Sequence, residues 1–267
     1  MGNEPTVGLA LGAGAARGMA HLGVLQVLEE AQIPVHLIAG SSIGSVFGAL
    51  YACGSDLKML EKLAVELKSS QFIDLTVPRI GLIKGQKVEA LLNLLTKKMT
   101  FDELRIPFYA VAVDIEKGEK VVINKGSVAE AVRASIAIPG IFHPKRLHGR
   151  VLVDGAVLER IPVSVLREQG AEVIIAVDVK YGGTENQELK AQNIFDIMLH
   201  AIDLLDREVV KHKVLEADVI IQPDLAHIGP TRFDLAAECI ALGREAALDA
   251  LPSIKQVLEQ RRNTDRN

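Results

Sequence analysis

The segment Leu37–Gly44, Leu-Ile-Ala-Gly-Ser-Ser-Ile-Gly, constrains this chain more than any other. It reads as a short apolar strand that runs into a Gly-x-Ser-x-Gly turn, followed by an apolar, small-residue helix through Ala52. A serine at the apex of such a turn carries an exposed hydroxyl, and the flanking Gly40 and Gly44 remove side chains that would clash there. Ser42 is therefore a candidate nucleophile. The pattern is short and also fits an ordinary Gly/Ser-rich loop, so the rest of the chain has to decide.

A second glycine-rich segment precedes it. Thr6–Leu11 has the length and composition of an apolar strand, Gly12-Ala13-Gly14-Ala15-Ala16-Arg17-Gly18 follows at once, and Met19–Glu30 places Leu22, Leu25 and Leu28 at helical spacing. Such a loop turns backbone N–H groups toward whatever lies above the helix N-terminus, which makes it an anion cradle. A dinucleotide fingerprint would need Gly-x-Gly-x-x-Gly and a carboxylate at the end of the next strand. Here the glycines fall at 12, 14 and 18, and the next strand ends in Gly40-Ser41-Ser42. The strand-end chemistry is wrong for a nucleotide.

Further along, helical and strand patterns keep alternating. Leu57–Leu67 and Val88–Lys98 read as helices around an irregular stretch, Phe72–Lys87; Pro107–Ile115 and Lys120–Asn124 read as a hairpin. A short helix, Val128–Ala137, precedes the strand Val151–Val153, which ends in Asp154-Gly155-Ala156. After a helix over Pro162–Gly170 comes Ala171–Val179, the run expected of a buried parallel strand. A long helix over about Glu188–Leu215, a strand Asp218–Gln222 and a helix Leu235–Gln260 that Pro252 should kink or split complete the chain. The expectation is an α/β fold of three α/β/α layers, with a mainly parallel central sheet and helices on both faces. The 267 residues fit one domain, with the C-terminal helical part from about 185 packed on the core.

Composition narrows the function. A net charge of −4 leaves no basic stripe for nucleic acid and no polybasic anchor for anionic lipid. Cys53 and Cys239 sit in apolar contexts, so neither a disulfide framework nor a zinc site is expected and a reducing compartment is the default. Glu4 stands where a secretory signal carries positive charge. Ala31–Ser55 lacks Asp, Glu, Lys and Arg, yet Pro34, His36 and its glycines and serines make it strand, turn and buried helix rather than a membrane span. A cytoplasmic protein is expected; its oligomeric state is left open.

A serine hydroxyl needs a base. In the order nucleophile, acid, histidine, His227 would be the candidate, but that arrangement places several strands before the elbow, and here only one precedes it. Asp154 is the alternative: three apolar residues put it at a strand's C-terminal end, where parallel sheets build their crevices, and Gly155 permits close approach. The plain alternative is that Asp154 caps the following turn.

Taken together, these segments resemble the patatin-like phospholipase family. Gly8-Leu9-Ala10-Leu11-Gly12-Ala13-Gly14-Ala15-Ala16-Arg17-Gly18 with Ala20-His21-Leu22-Gly23-Val24-Leu25 is similar to its bacterial members and to the catalytic domain of neuropathy target esterase. Gly40-Ser41-Ser42-Ile43-Gly44, Ala134–Phe142 and Asp154-Gly155-Ala156 match further family segments in the right order, over about Val7 to Leu166. The resemblance implies a Ser42–Asp154 dyad, an acyl-enzyme intermediate, and no cofactor, catalytic histidine or metal. It implies an oxyanion hole of N–H groups around Gly14 and Ala15, helped by Ile43, each donor worth about 3 kcal/mol in the transition state. Gly12, Arg17 and Gly18 would support that loop. The implied substrates are phospholipids, lysophospholipids or other fatty-acyl esters, met through peripheral membrane contact. Ala13 and Ala15 stand where the family loop commonly has glycine, and alanine resists positive φ. A lipid- or protein-binding regulator with weak activity, and an acyltransferase using the same dyad, are the alternatives.

Overall fold

The computed structural model describes residues 4–66, 74, 81–179, 194, 197–198, 201 and 216–264. Most of the helix expected over 188–215 and much of the stretch 72–87 lie outside the described residues. The strands are β1 (Val7–Leu11), β2 (Leu37–Ser41), β3 (Phe108–Asp114), β4 (Glu119–Ile123), β5 (Lys145–Leu147), β6 (Arg150–Asp154), β7 (Val173–Val177) and β8 (Val219–Ile221). Among the described residues they form one sheet in the order β5-β6-β3-β2-β1-β7-β8, with β4 paired to β3. The run β3, β2, β1, β7, β8 is parallel throughout. At one end β4 and β6 are antiparallel to β3, and β5 is antiparallel to β6. This is the expected α/β class, with the antiparallel strands gathered on one side.

Helices cover both faces, for a reason visible in single strands. Leu9 and Leu11 of β1, and Val173, Ile175 and Val177 of β7, face the larger core. There they meet α1 (Ala20–Glu30), α2 (Ile43–Ala52), α5 (Val128–Ser135) and the C-terminal helix. The alternate residues Ala10, Ile174 and Ala176 face a smaller core with Val163, Val165 and Leu166 of α6 (Val163–Glu168). Strand side chains alternate between faces, so all-apolar strands such as these require cover on both. On the larger face α3 (Leu57–Glu66) and α4 (Gln86–Leu95) contribute Leu60 and Leu92.

Two sequence expectations change. The strand before Asp154 has a partner that was not foreseen: β5 is a short, charged Lys-Arg-Leu run joined to β6 by His148-Gly149, both at positive φ. Its composition resembles a loop, and only pairing with β6 makes it a strand. The C-terminal helix, α7 (Ala236–Thr264), is not split by Pro252. The proline removes one helical hydrogen bond, but Cys239, Ile240 and Ala247 before it and Ile254 and Leu258 after it are all buried, so packing holds both halves.

α1 and α7 cross at glycines. A Cβ on Gly23 would lie 2.0 Å from the Ile240 carbonyl oxygen, and one on Gly243 would lie 2.1 Å from that of Ala20. Each helix thus lays its backbone on the other's. Alanine is ordinarily preferred to glycine in a helix by about 1 kcal/mol, so the clash decides the sign here. Gly23→Ala should lower unfolding free energy by roughly 3 kcal/mol in urea titrations; a loss below about 1 kcal/mol would contradict this contact.

Candidate active site

β2 delivers Ser42 to the first position before α2, at φ 52° and ψ −127°. A non-glycine residue held there costs on the order of 1–3 kcal/mol and persists only where its surroundings over-determine it. Three groups do so. The Ser42 N–H donates to Ser135 Oγ at 3.1 Å, its carbonyl accepts from the Ser45 N–H at 2.8 Å and from Ser45 Oγ at 2.6 Å, and its own Oγ donates to Asp154 Oδ2 at 2.6 Å. The flanking glycines are required by space: a Cβ on Gly40 would lie 2.6 Å from the Gly44 carbonyl oxygen, and one on Gly44 2.1 Å from that of Leu11. The elbow therefore sits directly on the end of β1.

Asp154 arrives by a different route from the one its sequence context suggests. Its strand is not parallel to the central run. β6 enters from beyond the carboxyl end of β3, where Leu152 pairs with Asp114, and runs back until Asp154 lies opposite Ala112. Ser41 lies opposite Val111 on the other side of β3, so register brings Asp154 level with the elbow. Its N–H donates to the Ala137 carbonyl at 2.9 Å, and its Oδ1 accepts from the Ala156 N–H at 2.8 Å. One oxygen of Asp154 thus caps the turn, and the other accepts from Ser42 Oγ. Both residues are buried, Ser42 6% and Asp154 2% exposed.

The glycine-rich loop packs against this elbow. A Cβ on Gly18 would lie 2.2 Å from Ile43 Cγ2, and one on Gly14 2.4 Å from Val179 Cγ2. The Gly12 N–H is taken by the Val177 carbonyl at 3.1 Å and the Ala13 N–H by that of Arg160 at 3.0 Å. Among the described residues the N–H groups of Gly14, Ala15 and Ile43 have no acceptor in the protein. Ala13 keeps an ordinary backbone, whereas Ala15 adopts φ 49°, the conformation glycine would take without strain. Arg17 is buried and donates through Nε to the Ile228 carbonyl at 2.6 Å, while the Ala16 N–H reaches that of Pro230 at 3.0 Å. The loop is thereby fastened to the C-terminal part of the chain.

Three supports were not read from the sequence. Ser135 ends α5, is fully buried, and donates to the Val111 carbonyl at 2.6 Å while accepting from Ser42. Arg160 and Asp178 form a buried two-contact ion pair beside the loop. Asp178 follows β7 directly, so the strand-end rule that singled out Asp154 would have found it. His21 lies below the loop with its Nε2 2.7 Å from the Gly12 carbonyl oxygen. Among the described residues no histidine bonds to Ser42; His227 is exposed on Glu238, and His200 and His212 lie outside the described set. Nor does any group of three His, Cys, Asp or Glu side chains there have the arrangement a metal needs.

Burial drives the His21 pKa down from 6.5 to about 4, against the raising effects of the Gly12 carbonyl and Asp178. His21 is therefore neutral at pH 7, so Nε2 carries the proton it donates to Gly12. The unfolded chain takes up a proton as pH falls through about 6.5, and the folded one only near 4. Stability from this group is complete above pH 6.5 and is lost progressively down to pH 4, by up to about 3 kcal/mol. Urea titrations of the wild type and His21→Gln should diverge across this window, the wild type falling faster; parallel curves would contradict a buried neutral imidazole.

Comparison with known proteins agrees with this architecture. The patatin-like phospholipase family model matches residues 9–167. An "uncharacterized NTE family protein" of Mycobacterium tuberculosis is 35% identical over 66% of this chain and 50% of its own length. Mouse patatin-like phospholipase domain-containing protein 6 is 35% identical over 65% of this chain and 13% of its own. The chain thus spans half or less of these relatives. VipD from Legionella pneumophila superposes with a TM-score of 0.68 at 15% identity, over 94% of this chain and 67% of VipD, a likeness of fold. The loop, the elbow and Asp154 all lie inside the matched segment, and the chain belongs to the patatin-like phospholipase family.

Proposed function

We propose that this chain is a serine acyl hydrolase acting on fatty-acyl ester lipids through Ser42 and Asp154. The observation that carries the proposal is the 2.6 Å hydrogen bond from Ser42 Oγ to Asp154 Oδ2 at a strained strand-to-helix turn. That distance lies within the range a nucleophile and its base require. Ser42 Oγ attacks the ester carbonyl as Asp154 accepts its proton. The tetrahedral oxyanion is held by the N–H groups of Gly14 and Ala15, with Ile43 at the positive end of α2 contributing. Collapse breaks the ester bond, and the leaving alcohol takes the proton back from Asp154. Water, deprotonated by the same carboxylate, then releases the fatty acid from Ser42.

The loop's geometry supports this reading. Ala15 holds φ 49°, a backbone that its side chain disfavours, and among the described residues its N–H has no acceptor in the protein. Family membership supports the substrate class, and Val157 and Leu158 lie exposed just after the Asp154 turn. Among the described residues no helix is long and apolar enough to cross a membrane. The reading takes phospholipid or lysophospholipid, met peripherally at a lipid surface, as the substrate.

Ser42→Ala should abolish hydrolysis of a lysophospholipid and of p-nitrophenyl butyrate while leaving the circular dichroism spectrum intact. Asp154→Asn should lower kcat by about a thousand-fold or more, and a fluorophosphonate should label wild type at Ser42. Full turnover by Ser42→Ala would refute the assignment.

A further inference from the structure

Ser135 bonds to the Ser42 backbone and to the β3 carbonyl beside the Asp154 turn, and nothing in the proposed chemistry uses it. Its hydroxyl has one proton, which goes to the Val111 carbonyl at 2.6 Å. The 3.1 Å contact with the Ser42 N–H is then one in which Ser135 accepts. The same Val111 oxygen supports the other partner: a Cβ on Gly155 would lie only 2.4 Å from it, so the Asp154–Gly155 turn rests on that carbonyl. Two residues after Ser135, the Ala137 carbonyl takes the Asp154 N–H at 2.9 Å.

From this we infer that Ser135 is a positioning residue that sets the separation of nucleophile and base. It does so by tying the strained Ser42 backbone to the β3 carbonyl against which the Asp154 turn is packed. The inference rests on the Ser42–Asp154 reading given above. Ser135 is fully buried and touches no substrate; it acts through Ser42. It also commits the Ser42 N–H, which leaves oxyanion stabilisation to Gly14, Ala15 and Ile43.

Without the hydroxyl, the Ser42 N–H loses its acceptor and the elbow loses one of the bonds that hold it at positive φ. A shift of reacting groups by a fraction of an ångström to one ångström lowers rates by up to about 100-fold. Such a change moves kcat and leaves substrate binding alone.

The test uses p-nitrophenyl butyrate hydrolysis, the rate of fluorophosphonate labelling and thermal unfolding, on wild type, Ser42→Ala, Ser135→Ala, Ser135→Cys and Thr96→Val. Thr96 is buried, bonds through its hydroxyl to the Leu92 carbonyl at 2.7 Å at the end of α4, and serves as a control for stability loss alone. Ser135→Ala should lower kcat and the labelling rate together by about 10- to 100-fold with KM within about twofold. Ser135→Cys, a similar volume with a weaker acceptor, should fall between it and wild type, and decides the matter alone if Ser135→Ala does not fold. Thr96→Val should lose thermal stability with an unchanged kcat. If Ser42→Ala is inactive while the Ser135 variants keep wild-type kcat, or merely lose stability as Thr96→Val does, the positioning role is overturned and the nucleophile stands. If Ser42→Ala stays active, both fall.

Discussion

A serine held at φ 52° and ψ −127° survives only where its neighbours supply more than the strain costs. In this chain they do so from separate parts of the sequence. β6 supplies the carboxylate on Ser42 Oγ, α5 the hydroxyl on its N–H, and α2 the N–H and hydroxyl of Ser45 on its carbonyl. The glycines at 40 and 44 leave the space in which the turn can close. Remove this elbow, and the remainder is a well-packed α/β sheet with no reason to aim a hydroxyl at a carboxylate.

Strand direction gives the site its shape. The parallel run β3, β2, β1, β7, β8 ends its strands on one edge, where the loop after β1, the elbow after β2 and Asp178 after β7 gather. Asp154 belongs to an antiparallel strand and joins them because β6 stops opposite Ala112. A one-residue slip of that strand would turn Asp154 to the other face, because side chains alternate. The hydrogen bonds of Asp154 to Ala137 and Ala156 therefore matter as much as the acid itself. The loop after β1 has its own anchors in the C-terminal part of the chain, at Ile228 and Pro230. In this way residues far along the sequence support a site whose loop, elbow and carboxylate all come before residue 155.

Much of this was legible in the residues. The all-apolar strands β1 and β7, the glycines around Ser42 and the Asp-Gly after Val153 are local signals, and each depends only on its neighbours in the chain. The family resemblance over Val7 to Leu166 was legible too, and the matched segment 9–167 agrees with it. What escaped was tertiary. Ser135 and His21 look like ordinary helical residues, and only packing brings one to the Ser42 N–H and the other to the Gly12 carbonyl. β5 is three residues of loop-like composition made regular by a partner, and α7 runs through Pro252 because both its halves are buried. The direction of β6 cannot be read from an apolar triplet, and the expectation of a parallel strand end gives way to an antiparallel strand that brings Asp154 level with Ser42.

The central claim is that Ser42 attacks while the Gly14 and Ala15 N–H groups receive the oxyanion. The most direct measurement is a crystal structure of the protein inactivated with a fluorophosphonate. Phosphorus should be bonded to Ser42 Oγ, with the phosphonyl oxygen within about 2.7–3.1 Å of both N–H groups. Phosphorus on another side chain, or a phosphonyl oxygen turned away from the loop, would contradict it.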